Sequence, residues 1–410
     1  MAKGILVLNA GSSSVKFALF ERESGEGLRL RERGEIESLD DAPHFSAQGP
    51  DGSALGERRW TAAQHPGYDD LLRYLIAWAE AHFGGAELFA AGHRVAHGGM
   101  LHSEPALVSE GLLRDLAALI PLAPLHLPHN LAPIEALRRT HPGLPQVACF
   151  DTAFHQTQPR VARLFGIPRG LAAEGVVRYG FHGLSYEYIA YVLPQYDSRA
   201  ASGRTIVAHL GNGASLCALV DRRSVATTLG FGGLDGLLMG TRCGSLDPEV
   251  VLYLQREKGM TPDAVEQMLE RESGLLGVSG ISADMRTLLQ SSAPAAIEAV
   301  DLFVYRIVRE TGSMAAAAGG IDALVFTAGI GEHAWQIRSA VCSRLGHLGI
   351  ELDEAANRAG GPRISSARSA TAVLVIPTDE ELMIARHTVS AVDAESQAGA
   401  NIVPSPTRRK

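Results

Sequence analysis

The sequence predicts an α/β protein whose core is duplicated around a central cleft. Three observations lead there. The apolar run GILVL (residues 4–8), the turn NAGSSS and the run VKFALF (15–20) read as strand, turn, strand. In the second half of the chain TIVAHL (205–210), the turn GNG and ASLCALV (214–220) repeat that plan. Around these hairpins, apolar strand-like runs are interleaved with helical patterns and run into glycine turns, as in α/β folds.

Residues 22–60 are charged and rich in Gly and Pro, and read as exposed strands and loops. DDLLRYLIAWAEAH (69–82) has helical periodicity behind an acidic start. EGLLRDLAALI (110–120) and NLAPIEALRRT (130–140) also read as helices, and QVACF (146–150) as a strand ending at Asp151. Between 296 and 318, Ile297, Val300, Phe303, Val304, Ile307, Val308 and Met314 are expected on one helical face. ALVFTAGIGEH (323–333) reads as a buried strand running into a glycine-rich turn. AVLVIPTDEELMIARHT (372–388) is a last strand and a helix, capped by Thr378 or Asp379. From about residue 391 the chain is small and polar, and a mobile tail is expected.

With 410 residues, 46% of them hydrophobic, the chain can bury a large core in two or three domains. Its net charge of −8 gives it no electrostatic footprint for nucleic acid. Any anion must therefore be bound by individually placed Arg, Lys and backbone N–H groups. Cys149, Cys217, Cys243 and Cys342 form no CxxC pair and read as thiols of a reducing compartment. The N-terminal apolar run is too short for a signal peptide, and no run is long enough to span a membrane. A soluble cytoplasmic protein is expected.

Five stretches can carry chemistry. In NAGSSSVK (9–16), Gly11 gives backbone freedom, Ser12, Ser13 and Ser14 offer donors to a phosphate, Lys16 adds charge, and Asn9 can hold magnesium through water. A plain serine-rich turn is the competing reading. In HLGNGAS (209–215), Gly211 and Gly213 let the backbone approach a charged ligand, with His209 and Asn212 as donors; a tight hairpin explains it equally well. In MGTRCGSLDP (239–248), Arg242 between Gly240 and Gly244 suits a phosphoryl oxygen or a carboxylate, or is a solvated surface arginine. The fourth group gathers His93, Arg94, His97, His126, Asp151 and His182. A zinc site on His93 and His97 lacks the HExxH pattern, and an anionic active site fits the set better. The fifth pairs AGIGEH (328–333) with ADMR (283–286), where Asp284 and Arg286 can border a base or ribose; neither is specific alone.

Taken in order, and with PTDEEL (377–382), these stretches resemble the acetate kinase family, within the superfamily of sugar kinases, actin and heat-shock ATPases. The resemblance runs from residue 4 to about 388. It implies two actin-like, ribonuclease H-like domains with a duplicated βββαβα-type core and a central nucleotide cleft. Residues 1–151 would form the first, with 387–410 packed back on it or mobile, and 152–386 the second. It implies reversible phosphoryl transfer from ATP to acetate, giving acetyl phosphate and ADP, with magnesium (or manganese) and a homodimeric assembly. Asn9 and Glu380 would belong to the metal site, and Ser12, Ser14 and Lys16 to the first phosphate turn. Arg94 and Arg242 would grip the carboxylate and the moving phosphoryl group. Asp151 takes the family's catalytic acidic position and His182 that of its transition-state-stabilising histidine. His209, Leu210, Gly211, Asn212 and Gly213 would embrace the ATP phosphates. Asp284, Met285 and Arg286 would lie around the adenosine, with Gly329, Ile330, Gly331, Glu332 and His333. Leu125 and Phe181 match the family's substrate pocket. Ala96 replaces a valine of that pocket, and Gly233 replaces a proline. The missing methyl groups make a widened pocket and a propionate kinase the alternative expectation. An actin-like ATP switch without carboxylate chemistry has no need of both arginines and His182; a zinc hydrolase would work without ATP.

Overall fold

The structure, a computed structural model, describes residues 3–11, 14–23, 27–39, 42–61, 64, 66–82, 87–124 and 126–400. The chain divides into two units, residues 1–153 with 379–410, and residues 154–378.

In the first unit the strands are β1 (Lys3–Ala10), β2 (Ser14–Arg22), β3 (Leu28–Glu37), β4 (His44–Gln48), β5 (Ala54–Arg59), β6 (Glu87–Val95), β7 (Ala106–Leu107) and β8 (Gln146–Phe150). Their order among the described residues is β5-β4-β3-β2-β1-β6-β8-β7. The strands from β1 to β5 form an antiparallel meander, and β6 and β8 run parallel to β1. The central strand β1 is covered on both faces, which is why Ile5, Leu6, Val7 and Leu8 form one unbroken apolar run, all buried. Farther out, β3 (LRLRERGEIE) alternates, because one of its faces meets water. The helix Tyr68–His82 packs Leu71, Leu72, Leu75, Ile76 and Ala79 into a core with Phe17 and Phe45.

The helix Glu380–Ala400 returns to this sheet, so the expected mobile tail from residue 391 is corrected as far as Ala400. Its outer turns hold because Arg22 grips Asp393 with two bonds of 2.8 and 2.6 Å. Asp379 rather than Thr378 caps it, its Oδ1 accepting from Leu382 N at 2.8 Å. The helix lies flat on β6 because position 92 is glycine: a Cβ there would stand 2.2 Å from Thr388 Oγ1 and 2.7 Å from Ile384 Cγ2.

In the second unit the strands are β9 (Arg204–Leu210), β10 (Ala214–Val220), β11 (Arg223–Thr227), β12 (Ala323–Thr327) and β13 (Ala372–Val375), ordered β11-β10-β9-β12-β13. The first three are antiparallel, and β12 and β13 are parallel to β9. This repeats the run β3-β2-β1-β6-β8, so the duplication expected from the two hairpins is a duplication of topology. The helix Pro294–Ala318 buries Phe303, Val304, Ile307 and Met314, whereas Ile297, expected on that face, is 52% exposed near the helix start. AGIGEH is not a turn but a short helix, Ala328–His333, entered through Ala328 at φ 64°. Among the described residues no helix is long and apolar enough to cross a membrane. No disulfide joins the four cysteines; Cys149, Cys217 and Cys342 are buried and Cys243 is half-buried.

Candidate active-site residues

In the first unit the candidate residues gather at the carboxyl ends of parallel strands, where open α/β sheets bind ligands. Asn9 is the penultimate residue of β1, Arg94 the penultimate residue of β6, and Asp151 follows β8 directly. Glu380 opens the returning helix. Arg94 Nε donates to Asp151 Oδ2 at 3.0 Å, its Nη2 donates to the same oxygen, and its Nη1 reaches Asn9 Oδ1 at 3.4 Å. Asn9 Nδ2 donates to Glu380 Oε2 and Glu381 Oε1, both at 3.3 Å. Burial opposes the charge of Arg94, but Asp151 and Glu380 outweigh it and hold the guanidinium above its ordinary pKa. Burial pushes the Glu380 carboxyl up to about 7 against the pull of Arg94, with Asp151 and Glu381 adding to the rise. Asp151 is 1% exposed, and its Oδ1 has no hydrogen-bond partner. Ala96 is buried, its N–H donating to Asn130 Oδ1 at 2.9 Å. The zinc reading of the histidine pair is not supported: no group of three or more His, Cys, Asp or Glu among the described residues could hold a metal. His93 bonds Gln146 Oε1 through Nε2 at 2.8 Å, and His97 Nδ1 accepts from Gly99 N. Burial lowers both rings to about 4, so they stay neutral. Ser12 and Leu125 lie outside the described residues, while Ser14 and Lys16 begin β2.

In the second unit His182 sits at φ 59°, ψ 26°, a left-handed position that starts the helix Gly183–Tyr196. Its ring stacks on His209 with centroids 4.2 Å apart, and its Nδ1 lies 2.9 Å from Ser215 Oγ. His209 ends β9 with Leu210, and its Nδ1 meets Ser185 Oγ at 2.8 Å. The loop Gly211–Asn212–Gly213 turns β9 into β10, with Gly211 N donating to Gly213 O at 3.0 Å. A Cβ on Gly213 would stand 2.7 Å from Arg242 Nη2 and 3.2 Å from His182 Nε2. Only bare backbone lets these two nitrogens come so close to the loop. Arg242 Nη1 donates to Gly233 O at 2.7 Å, which fixes the fork. Position 240 is equally constrained, since a Cβ there would be 1.9 Å from Asn212 Oδ1.

Asp284, half-buried, caps the helix Met285–Gln290 through Arg286 N and pairs at 2.8 Å with the guanidinium of the exposed Arg286. Gly329, Ile330, Gly331, Glu332 and His333 form the short helix after β12, and Glu332 Oε1 accepts from Thr378 N at 3.3 Å. The structure thus forms one cluster from Asn9, Arg94, Asp151 and Glu380, and a second from His182, His209, Gly213 and Arg242.

A model of the Acetokinase family matches residues 4–386. The chain belongs to that family. It is 55% identical over 391 residues to the acetate kinase of Rhodopseudomonas palustris (strain ATCC BAA-98 / CGA009), covering 94% of this chain and 98% of that one. It is 48% identical over 390 residues to the acetate kinase of Rhizobium meliloti, covering 95% and 98%. The propionate kinase from Francisella tularensis subsp. tularensis SCHU S4 superposes with a TM-score of 0.88 at 36% identity, covering 95% of this chain and 99% of that one. The acetate kinase of Porphyromonas gingivalis gives 0.83 at 34% identity, covering 95% and 100%.

Several residues that hold this acetokinase chain's candidate side chains carry no motif. Asn130 ties the end of β1 to the end of β6, bonding Ala10 O and Ala96 N. His155 Nε2 donates to Phe181 O at 3.0 Å, fixing the backbone just before His182, and burial lowers that ring to about 4. Arg338, 1% exposed, donates to Gly331 O, Glu332 O and Asn357, and so holds the short helix from below. Ser215 and Tyr186 form a bonded pair behind His182. Of these, Ser215 closes the stretch HLGNGAS that the sequence singled out, while Arg338 and Tyr186 lay in none.

Proposed function

We propose that this chain is an ATP-dependent carboxylate kinase that reversibly phosphorylates acetate, by direct in-line transfer and without a phosphoenzyme. Family membership sets the reaction class. The observation that carries the reading is the approach of His182 Nε2 and Arg242 Nη2 to the bare backbone at Gly213. Phosphoryl transfer asks the protein for alignment and for positive charge on the equatorial oxygens; beside the glycine loop Arg242 supplies the charge and His182 adds a second donor.

Arg94 binds the carboxylate, and Asp151 holds Arg94 in its orientation. Asp151 does not act as a base, because a carboxylate nucleophile is already ionised near neutral pH. Arg242 and His182 take the phosphoryl oxygens, and the loop His209–Gly213 borders the ATP phosphates. Asp284–Arg286 and Gly329–His333 border the adenosine. The enzyme is a cytoplasmic homodimer.

Such a kinase uses a divalent cation with its nucleotide, magnesium first. The residues fit one: Asn9 Oδ1, the Glu380 carboxylate and the unpartnered, buried Asp151 Oδ1 are hard oxygen donors of the kind magnesium takes. Asn9 and Glu380 would hold it, and when bound it neutralises charge on the phosphates. So few protein donors suit an ion that shares its coordination with nucleotide phosphates and water.

A hydroxamate assay with ATP, magnesium and acetate, propionate or butyrate in parallel tests the proposal. Acyl phosphate is expected with acetate; none from any acid ends the reading. Retention of configuration at a chiral γ-phosphorus would overturn the in-line step. Ala96 favours propionate as a second substrate, since alanine takes less room than the valine typical of the family.

A further inference from the structure

The hydroxyls of Tyr186 and Ser215 form a two-step relay that ends on His182. Tyr186 Oη lies 2.5 Å from Ser215 Oγ, and Ser215 Oγ lies 2.9 Å from His182 Nδ1. Tyr186 and Ser215 are both 0% exposed, so each hydroxyl hydrogen must find its acceptor inside the protein. Each hydroxyl has one hydrogen to give and its oxygen can accept two, so the relay has three arrangements. In one, Tyr186 donates to Ser215, Ser215 donates to His182 Nδ1, and both hydrogens are used. In the other two, His182 Nδ1–H donates to Ser215, and either Ser215 donates to Tyr186 or Tyr186 donates to Ser215 as well. One hydroxyl hydrogen, that of Tyr186 or that of Ser215, is then left with no acceptor among the hydrogen bonds of the described residues. Nor can the phenol shed it, because burial holds its pKa well above the ordinary value. A buried donor with no acceptor carries its whole desolvation penalty, so the first direction prevails.

We propose that Tyr186 and Ser215 fix the tautomer of His182, with Nδ1 accepting and Nε2 carrying the hydrogen. The consequence for catalysis rests on the kinase reading above. Nε2–H then points where Arg242 Nη2 also points, each within 3.2 Å of the place a Gly213 Cβ would occupy. The opposite tautomer would turn a lone pair toward an anionic phosphoryl group. The His209 stack and the left-handed backbone at residue 182 set the plane of the ring. Ser215 and Tyr186 decide which nitrogen is protonated. They act on the reaction through His182, and are positioning residues.

Long-range ¹H–¹⁵N correlation spectra of histidine-labelled full-length protein at neutral pH test this directly, with His182 assigned by His182→Asn. A neutral ring protonated at Nε2 is expected. Protonation at Nδ1, in a neutral or a cationic ring, overturns the proposal. Tyr186→Phe removes one hydroxyl and keeps the ring, and should convert His182 to a mixture of tautomers; an unchanged spectrum also overturns it. With acetate as substrate, Tyr186→Phe should lower kcat roughly tenfold, part of the 10²–10³ that loss of a transition-state donor costs, and leave both KM values within about twofold. In the His182→Asn background the same change should have no further effect. An equal loss in both backgrounds would assign Tyr186 a purely structural role and overturn the proposal. The spectra are taken on resting protein and decide the tautomer whether or not acetate is phosphorylated, so a failure of the kinase reading is seen separately, in the wild-type assay.

Discussion

Arg94 places both its Nε and its Nη2 on one oxygen of Asp151, Oδ2, and leaves the buried Oδ1 without a donor. A carboxylate used on one side only is held for a purpose beyond packing, since an unpaired buried acceptor costs free energy. Asp151→Asn keeps the shape but removes the charge that orients Arg94. The expected result is a fall in kcat of about 10²-fold or more, in the range seen when a preorganised electrostatic contact is lost. Steady-state kinetics beside an unchanged circular-dichroism spectrum check it. Activity within fivefold of wild type would remove Asp151 from the machinery.

Gly213→Ala tests the second cluster. The added methyl group would lie 2.7 Å from Arg242 Nη2 and 3.2 Å from His182 Nε2. Both atoms are ends of side chains, so the fold can absorb the change by moving them. That movement is what should abolish function. Thermal stability near wild type is expected together with a loss in kcat of roughly 10²–10³-fold. A variant that folds and turns over normally would show that the approach of the two nitrogens to the loop does not matter.

The sequence carried the two hairpins clearly, because GILVL, VKFALF, TIVAHL and ASLCALV are buried strands whose apolar runs need no long-range information. It misled at AGIGEH, where two glycines in six residues lower helix propensity. The helix forms there because buried Arg338 takes the carbonyls of Gly331 and Glu332, a tertiary contact no local pattern announces. The candidate side chains were legible as types, but their supports were not. Asn130 and Ala10 are 120 positions apart, Asn9 and Glu380 are 371 apart, and Tyr186 and Ser215 meet across 29. Such partners become visible only when the strands have been placed side by side.

Three buried neutral histidines predict how stability depends on pH. His93, His97 and His155 are lowered by burial to about 4 from an ordinary value of 6.5. Between those values the unfolded chain binds more protons than the folded one, so stability rises with pH across the window. It is fully present above about 6.5 and is lost progressively as pH falls toward 4. One pH unit below the ordinary value, each ring should remove about 1.4 kcal/mol. Urea unfolding at pH 7.5 and 5.5 reads this as a lower midpoint at the acid pH. Equal midpoints would mean that these rings are protonated in the folded state or solvated.

Ala96 predicts the acid that the enzyme accepts. It follows β6 directly, is 2% exposed, and is held by Asn130 through its backbone, so a change of side chain need not move the chain. Ala96→Val restores two methyl groups. At about 0.8 kcal/mol per buried CH₂, filling that volume should shift the propionate-to-acetate ratio of kcat/KM by roughly tenfold in favour of acetate. The wild-type chain should in turn phosphorylate propionate measurably, with kcat/KM less than about a hundredfold below that for acetate. Overpacking in a closed interior would act differently: it would lower thermal stability and slow both acids alike. A ratio unchanged by the substitution, with both rates intact, would place Ala96 outside the substrate pocket and remove the basis for propionate as a second substrate.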